Sequence, residues 1–233
     1  MCQHLTVRVR RNIAFLDLSG FTALTETEGD ERAVHVLTVF RAQVRATCSR
    51  RGVRIAKWLG DGAMLVGVEP SPLLGAVLEI QHATAGPGSP VSVRIAAAAG
   101  EVILLEGDDY IGRPVNLAAR LCDMAPADAV LVTPGLVGAL PRWGAELARE
   151  AMTVRGLERV QEVVHVGLRP LAHGVADPVC GIPLSPEVAE ELARDPVGSQ
   201  VWFCSDSCRD TWERRPRPTA EGQGSLRTPL IGT

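Results

Sequence analysis

Two aspartates stand where the chain changes direction, and both could hold a divalent cation. Asp17 ends the apolar stretch "NIAFLDL", and Asp61 lies inside the turn Gly60-Asp61-Gly62. Carboxylates at strand ends beside glycine-rich turns suit Mg²⁺, which keeps coordination sites free for substrate phosphates. Two such ions about 3.5–4 Å apart can stabilise both ends of a phosphoryl displacement. The structural alternative is that Asp17 caps a turn and Asp61 is an ordinary hairpin-tip residue.

Small residues follow the first aspartate in "LSGFT". A turn of this kind exposes successive backbone N–H groups, which can bind phosphate oxygens. The stretch therefore predicts a phosphate contact at Ser19, Gly20, Phe21 and Thr22.

Lys57 is the only lysine among the 24 lysine and arginine residues of the chain. It lies shortly before Asp61 in "KWLGDGAMLVG". Arginine is a planar fork, whereas lysine is a compact point donor on a flexible stem. In a chain that otherwise uses arginine, a lysine here indicates a site that needs a slim donor. The alternative is chance, since a single lysine must fall somewhere.

Asn116 and Arg120 stand four positions apart in "PVNLAARLCDM", directly after "GDDYIG". Residues with this spacing share one face of a helix. An arginine there can stabilise charge that develops on phosphates during transfer. The alternative is an amphipathic helix with two solvated polar residues.

Three of the six cysteines cluster near the C-terminus, at Cys180, Cys204 and Cys208, and the other three are isolated. In a reducing compartment such a cluster indicates metal binding rather than a disulfide framework. Three thiols suit a soft ion such as Zn²⁺ or Cu⁺. The alternative is three buried cysteines that pack beside aromatic residues.

Alternating strands and helices must position these side chains. Residues 12–18 predict a buried strand, and "SGFT" a turn. Apolar residues recurring every three or four positions predict a helix over Asp30–Arg51, closed by Gly52. "VRIAKWL" and "AMLVGV" predict a hairpin with Asp61 at its tip.

The second half of the large domain continues the alternation. A helix is predicted over residues 72–83, and "VSVRIAAAAGEVILLEG" predicts two strands that meet near Gly100. A helix with Pro114 in its first turn follows, and residues 150–167 predict another hairpin. The frequent hairpins favour an α+β fold with a mostly antiparallel sheet.

Length and charge limit the kind of protein this can be. The chain has 233 residues and a net charge of −3, with acids and bases interspersed. This argues against nucleic-acid or membrane-surface binding through a basic face. No apolar run approaches the roughly 18–20 residues that span a bilayer, and the N-terminus lacks an apolar signal region. We therefore expect a cytoplasmic protein with no nucleic-acid or membrane partner.

A change in pattern divides the chain into parts. We expect a catalytic-type domain over 10–167, a linker over 168–176 and a small module over 177–216. The tail over 217–233 is rich in proline, glycine and serine without periodicity, which predicts disorder.

Four stretches occur together and in order: "FLDLSGFTALTE", "KWLGDGAMLV", "GEVILLEGDDYIGRPVNLAARLC" and "VRGLERV". With them, residues 10–167 resemble the catalytic domain of class III nucleotidyl cyclases. The resemblance implies that family's fold, with its ferredoxin-like core, and an activity that converts ATP to 3′,5′-cyclic AMP and pyrophosphate with two Mg²⁺ or Mn²⁺ ions.

The resemblance also implies residue roles. Asp17 and Asp61 match the metal-binding aspartates, and the Leu18 carbonyl is a further ligand. Lys57 and Asp109 match the pair that contacts the purine, although a shift of one residue in the turn would give that role to Asp108. Asn116 and Arg120 match the residues that orient the ribose and stabilise the transition state.

The purine pair favours adenine. Adenine presents an acceptor at N1 and a donor at its 6-amino group, which match a lysine and a carboxylate, whereas guanine presents the reverse. The resemblance implies a head-to-tail homodimer with shared sites. Two alternatives remain: a guanylate cyclase, and a metal sensor whose cyclase-like domain only binds nucleotide or dimerises.

The stretch "DPVCGIPL…VWFCSDSCRDTWERRP" resembles the YHS/TRASH family of small metal-binding modules. The resemblance covers 177–216 and implies one soft ion at the three cysteines, with a regulatory effect on the larger domain. Asp177 and His173 are the nearest candidates for a fourth ligand.

Overall fold

The computed structural model describes residues 7–86, 89–105, 109–157, 159–195 and 198–215. Its strands are, in chain order, β1 (Val7–Ser19), β2 (Arg54–Leu59), β3 (Gly62–Gly67), β4 (Ser92–Leu104), β5 (Tyr110–Ile111), β6 (Val130–Val132), β7 (Gly144–Met152), β8 (Gln161–Leu168), β9 (Val175–Ala176), β10 (Pro183–Leu184), β11 (Glu191–Arg194) and β12 (Gln200–Phe203). Its α-helices are α1 (Phe21–Glu28), α2 (Asp30–Arg51), α3 (Pro70–Thr84), α4 (Arg113–Met124) and α5 (Asp206–Glu213), and a 3-10 helix covers Pro134–Ala139.

The main sheet has the strand order β2-β3-β1-β4-β6-β8-β7, and β5 pairs with β4. All its neighbouring strands are antiparallel except β4 and β6. The predicted α+β class with a mostly antiparallel sheet is therefore confirmed. β1 and β4 pair over 13 residues each, and their register sets Asp17 opposite Arg94.

The two faces of the sheet bury different helices. Ala14 and Leu16 of β1 belong to the core formed with α2 and α3, whereas Ile13 belongs to the core formed with α4. Because side chains alternate along a strand, Asp17 continues the row that faces α4. The Asp17 carboxylate therefore lies at the end of an otherwise apolar row of β1 side chains.

The predicted helix Asp30–Arg51 matches the bounds of α2. Its buried face contains Phe40, Val44 and Cys48, and Gly52 ends it with a left-handed φ of 66°. Glycine adopts this conformation without a steric penalty, so it is the preferred residue just after a helix. Of the predicted turn "SGFT", Gly20 turns the chain after β1, whereas Phe21 and Thr22 already belong to α1, a helix that the sequence did not predict.

The prediction of two strands meeting near Gly100 is wrong, because β4 is one continuous strand. Gly100 pairs with Arg11 inside an unbroken register. A Cβ atom on Gly100 would lie 2.7 Å from Cγ of Pro114. The glycine thus allows α4 to pack closely on the sheet and does not interrupt the strand.

The C-terminal region contains two small sheets, β9–β10 and β11–β12, together with α5. Its buried Ile182, Leu184 and Phe203 join the same apolar cluster as Leu73 and Leu74 of α3. The predicted linker, 168–176, includes the last residue of β8 and all of β9. The predicted domain bounds stay predictions, and the predicted disordered tail over 217–233 lies outside the described residues.

Within the described ranges, no helix has both the length and the apolar character that crossing a membrane requires.

Candidate active site

The two predicted metal-binding aspartates lie side by side. Asp17 is near the end of β1, and Asp61 is at the tip of the β2–β3 hairpin, as predicted. A Cβ atom on Gly62 would lie 2.5 Å from the Leu16 carbonyl oxygen and 3.2 Å from Oδ1 of Asp17. Only glycine lets the hairpin approach β1 this closely, and that approach brings the two carboxyl groups together.

The electrostatics of this acidic pair fit a divalent cation. Burial raises the pKa of the Asp61 carboxyl above its ordinary value, and the negative charge of Asp17 adds to the rise. A nearby cation would relieve both effects, since it offsets desolvation and repulsion. Hard carboxylate oxygens are the ligands that Mg²⁺ and Mn²⁺ prefer. Leu18 is buried within β1, so only its backbone carbonyl is available, and its role stays a prediction.

The predicted phosphate contact lies where β1 passes into α1. Ser19 ends β1, Gly20 has a left-handed φ of 87°, and Phe21 and Thr22 open the helix. The first helical hydrogen bond joins the Leu24 amide to the Gly20 carbonyl. The N–H groups before Leu24 have no partner inside the helix, and α1 has no capping side chain in the described chain. Donors for an anion are thus available beside the acidic pair.

Lys57 and Asp109 are in direct contact. Nζ of Lys57 donates to Oδ1 of Asp109 over 2.7 Å, and the two side chains are 40% and 47% exposed. This hydrogen bond lowers the pKa of the Asp109 carboxyl, and the Tyr110 backbone N–H contributes to the same effect. The structure therefore presents one donor and one acceptor together to solvent. Asp108, the alternative partner, lies outside the described residues.

Asn116 and Arg120 lie on α4, as predicted, with Asn116 exposed and Arg120 partly buried. Within the part of the chain that the structure describes, neither side chain makes a hydrogen bond or an ion pair. Arg120 borders a cavity of about 470 Å³ that Arg155 and Gly156 also line. Gly156 has a left-handed φ of 75°, which glycine adopts without strain, and the Arg120 guanidinium lies against it.

Two further arginines lie at the site, and the sequence analysis did not identify either of them as a site residue. Arg155 shares the Arg120 cavity, and it stands inside the quoted stretch "VRGLERV" directly before Gly156. Arg94 contacts Asp17, with Nε and Nη2 donating to Oδ2 over 2.9 and 2.6 Å. Only the β1–β4 register pairs Arg94 with Asp17, and the local sequence does not contain that information.

No protein-family model matches the chain. Among curated proteins, a pH-sensitive adenylate cyclase of Mycobacterium tuberculosis is 30% identical over 172 residues, which is 70% of this chain and 43% of that protein. An adenylate cyclase of Streptomyces coelicolor is 32% identical over 142 residues, which is 61% of this chain and 37% of that protein. An uncharacterized M. tuberculosis protein is 37% identical over 146 residues, or 63% and 38% of the two chains. The matched segments thus span less than half the length of these relatives.

Solved structures give the fold. The adenylyl cyclase CyaB from P. aeruginosa matches with a TM-score of 0.60 and 22% identity, over 72% of this chain and 99% of that one. An adenylate cyclase from Trypanosoma brucei matches with a TM-score of 0.63 and 18% identity, over 72% and 92%. The chain has the fold of a cyclase catalytic domain. The guanylyl cyclase Cya2 matches comparably, with a TM-score of 0.59 and 20% identity over 72% and 96%, so the cyclase fold alone does not select the base.

The three clustered cysteines meet in the C-terminal region beside the cyclase fold. Sγ of Cys204 lies 3.4 Å from Sγ of Cys180 and 3.6 Å from Sγ of Cys208. Together with an oxygen of Asp177, the sulfur atoms all fall within 4.8 Å of one another. Hydrogen bonds from neighbouring thiols lower the pKa of Cys208 and raise that of Cys180. The set is compact enough to hold a metal ion.

The two candidates for a fourth ligand differ. Asp177 is buried, and its oxygens accept from the backbone N–H groups of Val179, Cys180 and Cys204 over 2.8, 3.3 and 2.8 Å. It therefore fixes the backbone around the cysteines. His173 is exposed, and it is absent from the compact group found among the described residues.

A buried polar network joins the cysteines to α2 and α3. Nη2 of Arg51 donates to Sγ of Cys204 over 3.0 Å, and Nε donates to Oε2 of Glu79 over 2.8 Å. Glu79 is fully buried and also accepts from Arg50 and from Thr47. The Arg51 guanidinium lies 5.4 Å from the centre of the Trp143 ring, whose Nε1 donates to the Cys204 carbonyl. The network supplies a direct contact between the cysteine cluster and the main domain.

Proposed function

We propose that the chain is an adenylate cyclase that converts ATP to 3′,5′-cyclic AMP and pyrophosphate. The observation that supports this most is the contact of Lys57 with Asp109, because it brings together one donor and one acceptor, the two groups that an adenine edge would pair with. The relatives with cyclase names and the shared fold support the reaction class. In this reaction the ribose 3′-oxygen bonds to the α-phosphorus, pyrophosphate leaves, and the hydroxyl proton is released.

Asp17 and Asp61, with the Leu18 carbonyl, would hold Mg²⁺ or Mn²⁺. When bound, such an ion neutralises phosphate charge and makes a hydroxyl more acidic. The chain's own contribution is to keep two carboxyl groups adjacent and partly shielded from water. The N–H groups at the start of α1, with the turn from Ser19 to Thr22 that presents them, would bind phosphate oxygens beside the acidic pair.

Arg120 and Arg155 would neutralise the phosphates from the other side. Both border the same cavity, and the described residues give neither an acidic partner. Asp123 also lines the cavity, but a guanidinium that is not held in an ion pair can bind phosphate oxygens in a bidentate manner. Asn116 lies one turn before Arg120 and would orient the ribose.

We infer a head-to-tail homodimer that completes each site from two chains. Its support is the division of the site: metal-binding groups lie on β1 and the β2–β3 hairpin, and transition-state groups lie on α4. Each chain would supply one half to each of two equivalent sites.

Incubation of the purified chain with ATP or GTP and Mn²⁺, followed by identification of the product, tests the reaction. We expect cyclic AMP in excess over cyclic GMP. Mainly cyclic GMP would favour a guanylate cyclase. No cyclic product from folded, dimeric protein would favour the metal sensor with a non-catalytic domain.

The cysteine cluster supports a second role, in which Cys180, Cys204 and Cys208 bind one soft ion such as Zn²⁺ or Cu⁺ and regulate the cyclase domain. The signal would pass through the Arg51 contact to α2. This helix also reaches the active-site hairpin, since Nη2 of Arg41 donates to the Gly60 carbonyl over 2.7 Å. Elemental analysis should find one soft ion per chain, and replacement of all three cysteines by serine should remove it. Unchanged metal content in that variant would refute this role.

A further inference from the structure

Arg94 is fixed at three points around the acidic pair. Two of its nitrogens donate to the same oxygen of Asp17, Oδ2, over 2.9 and 2.6 Å. The third, Nη1, donates to the Asp123 carbonyl over 3.0 Å. Asp123 lies in the last turn of α4, where helix carbonyls concentrate partial negative charge. The guanidinium therefore has favourable partners on both sides and little freedom to move away.

The two oxygens of Asp17 consequently have different surroundings. Oδ2 accepts both hydrogen bonds from Arg94, whereas Oδ1 lies on the hairpin side, near Gly62 and hence near Asp61. An ion shared by the two aspartates would meet Oδ1, because Oδ2 already has its cationic partner. Arg94 thus orients the carboxylate as well as neutralising it.

The same contact places a positive charge next to the position of an incoming cation. Arg94 and Asp17 are only 30% and 28% exposed, so water screens this charge incompletely. Like charges a few ångströms apart repel, and a divalent ion doubles the effect. A free ion therefore meets less attraction than two carboxylates alone would give it.

We propose that Arg94 is a resident counter-cation of the acidic pair. It holds Asp17 through Oδ2, leaves Oδ1 for a divalent ion, and lowers the affinity of the nucleotide-free site for such ions. Ion binding then depends on the negative phosphates that arrive with the nucleotide. This inference rests on the proposed function, in which Asp17 and Asp61 hold the ion.

Titration of the nucleotide-free full chain with Mn²⁺, followed by electron paramagnetic resonance of the free ion, tests the proposal. Arg94→Met should bind Mn²⁺ about tenfold more tightly than the unmodified chain, because a unit positive charge near a divalent ion is lost. Arg94→Gln removes the charge but keeps a donor for Asp123, and it should change affinity in the same direction. Arg94→Lys keeps the charge and should stay close to the unmodified chain.

Two controls distinguish the role proposed for Arg94 from the proposal on which it rests, that Asp17 and Asp61 hold the ion. Arg149→Met makes the same charge change on exposed β7, where Arg149 pairs with Glu146 and Glu162, and it should leave Mn²⁺ affinity unchanged. Asp61→Asn should abolish the binding. If Asp61→Asn abolishes Mn²⁺ binding, but Arg94→Met and Arg94→Gln bind Mn²⁺ no more tightly than Arg149→Met, only the role of Arg94 is refuted. If Asp61→Asn leaves Mn²⁺ binding intact, the acidic pair is not the ion site and both proposals fail.

Discussion

The acidic pair and the cysteine cluster are both groups of side chains that could hold an ion, but the chain surrounds them differently. Asp17 and Asp61 are partly exposed and offer hard carboxylate oxygens next to strand ends, and an arginine already neutralises one of them. Cys204 and Cys208 are fully buried soft ligands, with Cys180 partly buried beside them. The arginine next to the cysteines is itself held by a buried glutamate.

This difference predicts two kinds of behaviour. A partly exposed carboxylate pair should exchange its ion readily, as the proposed reaction, which releases pyrophosphate, would require. A buried thiol cluster, tied to the core through Arg51 and Trp143, favours an ion that stays bound and contributes to folding. The acidic pair should therefore control activity, and the cysteine cluster should control stability.

The largest expected effect concerns the active site, in which the acidic pair of one chain would be completed by α4 of the other. Asp17→Ala and Asn116→Ala homodimers should each lose activity by about a hundredfold or more, as loss of a transition-state group typically does. When the two variants are mixed and re-paired, one of the two sites in each heterodimer is intact. If half of the dimers are mixed, about a quarter of the original activity should return.

Rates of cyclic AMP formation before and after mixing give the measurement. Confirmation that heterodimers form, by differently tagged chains, is the control. Heterodimers that recover no activity would contradict the shared site.

The next effect concerns the buried polar network beside the cysteine cluster. Glu79→Gln leaves Arg50 and Arg51 without their carboxylate, and removal of one partner from a buried ion pair costs about 3–5 kcal/mol of folding free energy. Glu28→Gln makes the same chemical change at an exposed pair with Arg32, which joins the end of α1 to the start of α2, where about 0.2–1 kcal/mol is expected.

Denaturant unfolding of both variants, monitored by tryptophan fluorescence, compares the two costs. Equal losses of unfolding free energy would show that Glu79 contributes no more than an exposed carboxylate to holding the arginines beside the cysteine cluster.

The smallest effect concerns the exposed Lys57–Asp109 pair. The pKa of Asp109 is lowered in the folded chain, so the pair contributes stability above the unfolded pKa and loses it as pH falls through the folded value. Lys57→Ala should raise the pKa of Asp109, and the Tyr110 amide should keep it from rising fully. Carbon-13 titration of the Asp109 carboxyl by NMR measures the change. An unchanged pKa would mean that the two side chains do not pair in solution.

Local sequence predicted the elements whose determinants are local. The bounds of α2 follow from apolar spacing and from Gly52, and the hairpin follows from the turn around Asp61. The break near Gly100 was predicted wrongly, because that glycine is required by Pro114 packing from a distant helix. The contact of Arg94 with Asp17 depends on strand register, and the proximity of Arg155 to Arg120 depends on how the β7–β8 connection lies against α4. The residue types of the site could thus be named from sequence, but the arginines that complete it required the fold.

The proposed selection of adenine requires that Lys57 contacts the purine and not the phosphates. Lys57→Ala should lose about one charge-assisted hydrogen bond, roughly 1.5–3 kcal/mol of transition-state binding with ATP. Arg155→Ala is the matched control, since loss of a phosphate-binding cation should weaken ATP and GTP alike.

The direct measurement is the ratio of kcat/KM for ATP to that for GTP in the unmodified chain, Lys57→Ala and Arg155→Ala. The ratio should fall in Lys57→Ala and stay constant in Arg155→Ala. A uniform loss for both nucleotides in Lys57→Ala, with the ratio unchanged, would place Lys57 on the phosphates and contradict the proposed selection of adenine.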